Sequence, residues 1–243
     1  MLVTVFWGAV LWVLYAYLLY PLILSLMSAS KRAVRHVAPE TWPRVSLVIA
    51  AHNEEAVLGE KLDNSLALDY PPDRIQIIVA SDGSTDATEV IAASYADRGV
   101  VLHQVEQRGG KTQAQNAAVR LAQGEFIVFS DANSMYDVQA LKRIIEPFAD
   151  PAVGCVCGEL RYANPDGDAA GKGEGLYWRY EQFLKRRESV LSSTLGANGA
   201  IYALRRDMFE ELDADIISDF IMPVRVWRRG FRIVYEPDAI AEE

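Results

Sequence analysis

The sequence has few of the residues that build metal clusters and nucleic-acid surfaces. It contains two cysteines and three histidines among 243 residues. Its formal net charge is −9. The histidines are scattered along the chain, which argues against a zinc site. Cys155 and Cys157 lie two apart on a predicted strand, so we interpret them as core thiols of a reducing compartment rather than half of a metal site. The acidic balance leaves no basic stripe and argues against a nucleic-acid partner.

Three common motifs are also absent. No G-x-G-x-x-G follows the first predicted strand, which argues against a Rossmann dehydrogenase. No G-x-S-x-G is present, so a hydrolase would have no nucleophile elbow. Gly110-Lys111-Thr112 resembles the end of a P-loop, but Val105 stands where that loop needs its first glycine. The backbone could not wrap a triphosphate there, which argues against a P-loop ATPase.

The N-terminal stretch is long, apolar and uncharged. Leu2 to Met27 exceeds the roughly 20 residues that span a bilayer, and it lacks the basic start of a signal peptide. Basic residues follow it, at Lys31, Arg32, Arg35 and Arg44. The positive-inside rule therefore places the rest of the chain in the cytoplasm, at the cell membrane. We predict a transmembrane anchor over residues 1–30 and a linker over 31–44; the alternative is a buried core helix.

Residues 45–243 are predicted to form one α/β domain. Strands are expected at Val45–Ala50, Ile75–Ala80, Val100–Val105 and after Glu125, each of the first three being followed by a helix. This alternation predicts a parallel, doubly wound sheet. Asn53, and Ser84 or Thr85, are the predicted helix caps. Further along, we expect a mobile loop over 164–175, a helix over 176–191, strands over 201–204 and 231–235, and a helix over 221–229.

The stretch from Glu125 to Asn133 is the most informative. A buried strand ends there in Asp131 and Asn133, and ligands of open α/β sheets collect at such carboxyl ends. Both side chains offer hard oxygen atoms that suit Mg²⁺ or Mn²⁺. The alternative is a strand that simply ends in an Asx-turn.

Other predicted strand ends deliver polar groups to the same edge. His52, Asn53 and Glu54 follow the first strand, and Asp82 ends the second. Such hydrogen-bond acceptors suit a nucleobase and a ribose. Lys111 follows a glycine pair at a helix start, where it could bind phosphates; the alternative is an ordinary solvated lysine.

Six short motifs, taken in order, resemble those of family-2 glycosyltransferases, and in particular the membrane-bound branch that includes cellulose synthase and hyaluronan synthase. They are Ala51-His52-Asn53-Glu54-Glu55, Ser81-Asp82-Gly83-Ser84-Thr85-Asp86, Gly110-Lys111-Thr112 with Asn116, Ser130-Asp131-Ala132-Asn133, Gly196-Ala197-Asn198-Gly199-Ala200 and Ser218-Asp219-Phe220. The resemblance implies a GT-A fold, which is a Rossmann-like, mostly parallel sheet with flanking helices. It also implies inverting transfer from a nucleotide-diphosphate sugar, with UDP favoured over GDP as the carrier.

The resemblance also implies roles for individual positions. The implied nucleotide-binding residues are Ala51, Asn53, Glu54, Asp82, Lys111 and Asp131. Asp131 and Asn133 would hold Mg²⁺ or Mn²⁺ as the D-x-D motif, and Gly196 and Asn198 would line the acceptor side. Asp219 would be the general base that deprotonates the attacking hydroxyl; its alternative role is a helix N-cap.

The sequence departs from the family pattern in two places. Asn133 replaces the second aspartate of D-x-D, so metal affinity would be weaker or metal choice altered. The Q-x-x-R-W motif is missing, since no glutamine follows Gln182, and later membrane helices are missing too. We therefore expect this chain to be a C-terminally truncated piece of a longer synthase.

Three functions remain open at this stage. The leading one is the extension of a polysaccharide at the cytoplasmic face of the membrane. The second is the transfer of a single sugar to a lipid carrier, and the third is a non-catalytic nucleotide-binding module. The aromatic residues of the helix over 176–191 could serve a sugar chain, the membrane surface or the core; they are Tyr177, Trp178, Tyr180 and Phe183.

Overall fold

The computed structural model of the protein describes residues 1–29, 31, 38–105, 107–162 and 169–243. Part of the predicted linker, at Ser30 and residues 32–37, lies outside these ranges. So does the first part of the predicted loop, residues 164–168. The rest of that loop is helical, since a long helix begins at Ala169. The loop prediction is wrong for residues 169–175. They extend the helix predicted over 176–191 toward its N-terminus despite three glycines, because adding a turn to an existing helix costs less than starting one.

An apolar helix, Leu2–Ser28, precedes the domain and is long and apolar enough to cross a membrane. It consists of α1 (Leu2–Leu14), a π-helical turn (Tyr15–Leu19) and α2 (Tyr20–Ser28). The π turn comes just before Pro21, whose ring would crowd the carbonyl four residues earlier in a regular helix. The most apolar 18-residue segment of this helix is not buried in the protein. It is therefore not the buried core helix that was the alternative.

One eight-stranded sheet forms the centre of the domain. Its strands are β1 (Val45–Ala51), β2 (Ile75–Asp82), β3 (Val100–Val105), β4 (Phe126–Asp131), β5 (Met135–Tyr136), β6 (Val153–Arg161), β7 (Ile201–Arg205) and β8 (Arg232–Glu242). Their order is β3-β2-β1-β4-β7-β6-β8-β5. The first four are parallel, as predicted, whereas β7 is antiparallel to both β4 and β6. The sheet is thus doubly wound in its first half and mixed in its second.

Helices cover both faces of the sheet. They are α3 (Leu58–Leu66), α4 (Thr88–Ser94), α5 (Lys111–Val119), α6 (Ala140–Ile145), α7 (Ala169–Leu191) and α8 (Ser218–Arg228). Alternate residues of β1 point to opposite faces, so Leu47 joins the core under α3 and α6 while Val48 joins the core under α5 and α8. Burial on both faces explains why the central strands are continuous apolar runs.

The three predicted helix caps are wrong. The helix after β1 starts at Leu58, and Asn53 lies five residues earlier with a φ of 56°. The next helix starts at Thr88, beyond Ser84 and Thr85. Asp219 lies inside the first turn of α8, whose N-cap position is Ile217. The polar side chains around β1 and β2 instead make hydrogen bonds between loops.

Both cysteines are free and fully buried on β6, which confirms that they are core thiols. Burial raises the pKa of each thiol. Cys157 also accepts a hydrogen bond from the backbone N–H of Asn198, at 3.2 Å.

A buried lysine lies under the loop that follows β4. Lys61 of α3 is 0% exposed, donates a hydrogen bond to the carbonyl of Ser134, and lies 3.8 Å from the centre of the Tyr136 ring. Burial lowers its pKa to about 7, against the opposing effect of Asp131 and Glu243. A lysine at this depth costs stability whenever it is charged.

Replacing this lysine is expected to remove a specific pH dependence of stability. Between about pH 7 and pH 10.5 the unfolded chain holds a proton on Lys61 that the folded chain has released, so the wild type gains stability as the pH rises. Relative to Lys61→Met, its free energy of unfolding should rise by up to about 1.4 kcal/mol per pH unit in that window. Urea unfolding of the full chain in detergent, followed by fluorescence, measures this. Lys142→Met, on the surface of α6, is the control for the loss of a lysine, and parallel pH profiles for wild type and Lys61→Met would contradict the prediction.

Candidate functional site

The ends of β1, β2 and β4 border one open cavity of about 370 Å³. Five of the six predicted nucleotide-binding residues line it, together with the predicted metal ligand Asn133; the five are Ala51, Glu54, Asp82, Lys111 and Asp131. His52 and Arg108 line it as well. Arg108 was not predicted as a site residue, although it directly precedes the glycine pair.

Asp82 holds the loop that carries the glycine pair. Its Oδ1 accepts the N–H of Gly109 at 2.7 Å, and its Oδ2 accepts the N–H of Gly110 at 2.9 Å. Next to it, Gly83 has a φ of 61°, and a Cβ there would lie 2.9 Å from the backbone nitrogen of Arg108. The tip of β2 and the loop therefore meet backbone to backbone, which places Arg108 and Lys111 beside the cavity.

Asn53 links the loops that follow β1 and β2 through hydrogen bonds. Its Oδ1 accepts the N–H of Thr85 at 2.8 Å, and its own N–H donates to Ser84 Oγ at 3.2 Å. The neighbouring N–H of Glu54 donates to Thr88 Oγ1 at 2.8 Å. These bonds bring Glu54 to the cavity wall, while Asn53 itself is not among the residues that line the cavity.

Glu54 lies in a negative environment. Burial raises the pKa of its carboxyl, and Asp131 and Asp86 raise it further. The carboxylates at this edge of the sheet therefore repel one another, and a ligand that brings positive charge would relieve that repulsion.

Lys111 lies between two aspartates. Its Nζ forms an ion pair with Asp131 Oδ1. On the other side, Lys111 and Asp219 both border Gly199, since a Cβ at 199 would lie 2.9 Å from Lys111 Nζ and 2.7 Å from Asp219 Oδ2. A second cavity, of about 280 Å³, is lined by both Lys111 and Asp219. The two cavities therefore adjoin at Lys111.

The loop with Gly196 and Asn198 packs on the first turn of α8. Gly196 has a φ of 73° and faces the ring of Phe220, and the N–H of Ala197 donates to the carbonyl of Asp219 at 2.9 Å. The side chain of Asn198 accepts the N–H of Ala200 and lines a small cavity next to α7. Gly196 and Asn198 thus border Asp219 and α7 rather than the larger cavities.

The metal ligands predicted from the sequence are one carboxylate and one amide. Within the described ranges, no group of three or more His, Cys, Asp or Glu side chains is arranged to hold a metal ion. Asp131 and Asn133 nonetheless line the same cavity and offer hard oxygen atoms. This set fits a Mg²⁺- or Mn²⁺-type cation that takes most of its ligands from phosphate and water.

Sequence relatives agree with this geometry. Residues 46–213 match the family described as glycosyl transferase family 2. A beta-monoglucosyldiacylglycerol synthase of Synechocystis sp. is 30% identical over 67% of the chain and 35% of its own length. A poly-beta-1,6-N-acetyl-D-glucosamine synthase of Staphylococcus aureus is 27% identical over 81% of the chain and 48% of its own length. The chain thus spans about half, or less, of the length of these relatives.

Solved structures share the fold. A mannosyltransferase from Pyrobaculum calidifontis, in complex with GDP-Man and Mn²⁺, has a TM-score of 0.81 and 26% identity, covering 94% of this chain and 64% of its own. Staphylococcus aureus TarS, in complex with UDP-GlcNAc, is similar in fold with a TM-score of 0.61 and 20% identity, covering 82% of this chain and 58% of its own. The family predicted from the six motifs is confirmed: the chain belongs to glycosyl transferase family 2 and has the mixed α/β sheet of the GT-A fold.

Proposed function

We propose that this protein is an inverting glycosyltransferase that uses a nucleotide-diphosphate sugar, with UDP as the carrier, to extend a polysaccharide at the cytoplasmic face of the membrane. The observation that carries the proposal is the position of Lys111, paired with Asp131 on the donor side and adjoining Asp219 on the other. The Lys111 ammonium adjoins two cavities. We assign the donor and its leaving diphosphate to the cavity with Asp131, and the acceptor to the cavity with Asp219.

The donor occupies the cavity at the strand ends. His52, Glu54 and Asp82 offer polar groups for the base and ribose, and Arg108 and Lys111 offer positive charge for the diphosphate. The N-terminus of α5, which begins at Lys111, favours the same negative charge. Asp131 and Asn133 would hold Mg²⁺ or Mn²⁺, which would stabilise the charge on the departing diphosphate.

The acceptor approaches through the second cavity, where Asp219 is the base. Inversion needs a carboxylate that removes the proton from the acceptor hydroxyl as the hydroxyl attacks the sugar from the side opposite the diphosphate. Asp219 is held by the first turn of α8, and its backbone carbonyl is bonded to the Gly196–Gly199 loop. The position of Asp219 beside Lys111, at the wall of the second cavity, supports this role.

A second candidate keeps the chemistry and replaces the polysaccharide with a lipid carrier. Three large apolar side chains next to Asp219 are exposed, namely Leu195, Ile217 and Phe220. Exposed apolar groups beside an acceptor site suit an acceptor with an apolar portion. The third candidate, a nucleotide-binding module without activity, makes no use of Asp219.

Replacing the proposed base should separate catalysis from binding. Asp219→Asn keeps the shape of the side chain but cannot take the proton, so we expect turnover to fall by about 10²- to 10⁴-fold with donor affinity unchanged. Release of nucleoside diphosphate measures turnover, and calorimetry measures affinity. Asp213→Asn, an exposed neighbour outside the cavities, is the control.

Three results decide among the candidates. Long sugar chains in the wild-type product support polysaccharide extension, and a single glycolipid supports the lipid carrier. Undiminished turnover in Asp219→Asn would refute its role as the base. Donor binding without any transfer by the wild type would favour the binding module.

Adding one methyl group should disturb the site without unfolding the domain. In Gly199→Ala the new Cβ would meet the flexible ends of Lys111 and Asp219, which must move apart. We expect kcat to fall by about tenfold, since small misplacements of reacting groups are costly, with little change in melting temperature. Gly59→Ala is the control because its Cβ would have no neighbour nearer than 3.8 Å. An unchanged kcat in Gly199→Ala would show that the positions of the Lys111 and Asp219 side chains beside Gly199 are not critical.

Donor binding should depend on a divalent cation and on Asp131. At 100 times its dissociation constant, UDP with Mn²⁺ is expected to stabilise the folded protein by about 2.7 kcal/mol. EDTA or Asp131→Asn should remove most of that gain, whereas Asp97→Asn, an exposed aspartate far from the strand ends in sequence, should keep it. Thermal unfolding with UDP and GDP, each with and without Mn²⁺, is the measurement. Equal stabilisation by UDP in EDTA would contradict metal dependence, and greater stabilisation by GDP would change the carrier.

A further inference from the structure

The apolar N-terminal helix and α7 lie side by side and run in the same direction. Tyr180 Oη donates to the carbonyl of Ala16 at 2.8 Å, and the rings of Tyr17 and Tyr180 stack with centroids 5.7 Å apart. Further along both helices, Tyr20 Oη donates to Glu188 at 2.7 Å. Beyond the apolar helix, Lys31 Nζ donates to the carbonyl of Leu191 at 3.2 Å. Arg187 also donates to Ser28 Oγ at 3.3 Å, so the second half of α7 packs on the end of the apolar helix.

This register brings α7 to the membrane. A span of about 20 residues is needed to cross the hydrocarbon core, and any such window within Leu2–Ser28 contains residues 9–21. Ala16, Tyr17 and Tyr20 fall in every window, and all three contact α7. The shallowest window, 2–21, puts Tyr20 at the surface and Ala16 about 6 Å deeper along the helix axis. Tyr180 reaches this depth with its hydroxyl, while the backbone of α7 packs on α2, so the shallowest window leaves the α7 backbone in the headgroup layer. Deeper windows would bury the charged side chains of α7 among acyl chains.

The side chains near Tyr180 suit the headgroup layer. Tyr177 is 58% exposed, and the ring of Trp178 packs against Tyr162 with centroids 5.4 Å apart. Tyrosine and tryptophan are the residues enriched at this depth, where one end of the ring is wet. Arg179 is also exposed, which suits contact with lipid phosphates but not with acyl chains.

The second half of α7 is also bound to the domain. Arg186 forms an ion pair at 2.5 Å with Glu159, which is buried on β6 and also accepts the hydroxyl of Tyr235 at 3.2 Å. The helix therefore moves with the sheet and is not a separate tether. Four residues separate its last residue, Leu191, from Gly196, where the loop that borders Asp219 begins.

We propose that α7 seats the catalytic domain on the bilayer, with Tyr177 to Tyr180 in the headgroup layer. This inference rests on the proposed membrane attachment through Leu2–Ser28. The partner is the lipid surface itself, bound along the side of α7 that continues the apolar helix. The loop with Gly196 and Asn198 follows α7 directly, so the acceptor side of the site is held close to the membrane.

Spin labels in the full chain test the seating. We would label Tyr177→Cys, Trp7→Cys in the apolar helix and Val90→Cys, an exposed position on α4, one at a time in nanodiscs of phosphatidylcholine and phosphatidylglycerol. The native thiols are fully buried, and labelling of the wild type controls for them. The readout is accessibility to lipid-dissolved oxygen relative to an aqueous nickel chelate. A cooperative thermal unfolding transition at the wild-type temperature checks that each labelled chain is folded.

We expect the oxygen-to-nickel ratio at 177 to be severalfold higher than at 90 and lower than at 7. A ratio at 177 equal to that at 90, with a high ratio at 7, would overturn the seating and leave the anchor intact. A low ratio at both 177 and 7 would overturn the anchor and the seating together. None of these results depends on turnover, so a failure of the proposed chemistry, seen with Asp219→Asn, stays distinguishable.

Discussion

The ion pair between Lys111 and Asp131 is the interaction on which the candidate site depends. The strand ends bring Glu54, Asp82 and Asp131 to one edge of the sheet, and Asp219 arrives from α8. Carboxylates at such spacing repel one another unless a positive charge lies among them. Lys111 supplies that charge and belongs to the wall of both cavities. A metal cation bound to Asp131 would compete with Lys111 for that carboxylate, and the diphosphate would attract Lys111. The ion pair between Lys111 and Asp131 would therefore change when the donor binds.

Many of the other motif residues hold loops in place through hydrogen bonds. Asp82 and Asn53 use their side-chain oxygens on backbone N–H groups of other loops, and the Gly196–Gly199 loop bonds to the first turn of α8. Side chains that accept two backbone bonds hold a loop in one arrangement, which is what a preorganised site requires. The motif residues of this chain therefore act at two levels: some line the cavity, and others fix where the lining lies.

The sequence was informative where local pattern decides structure. The central strands β1, β2 and β4 follow from their apolar runs, because a strand buried on both faces has no other composition. The helix caps failed because Asn53 and Ser84 bond to each other's loops across about thirty positions, which no local pattern records. The mixed half of the sheet and the burial of Lys61 were missed for the same reason, since both depend on which distant segments pack together. The positions of polar residues at strand ends were enough to predict which of them would lie close together. Their hydrogen-bond partners depend on tertiary contacts.

In the proposed seating, α7 connects the membrane to the chemistry. The second half of the helix contacts the apolar N-terminal helix, and its C-terminal end leads into the loop beside Asp219. Because Glu159 ties α7 to β6, any tilt of the domain on the bilayer would tilt the acceptor side with it. A rigid seat of this kind restricts the acceptor to one depth relative to the membrane. In the proposed seating, that restriction favours an acceptor that is itself held at the membrane over one that diffuses in from solution.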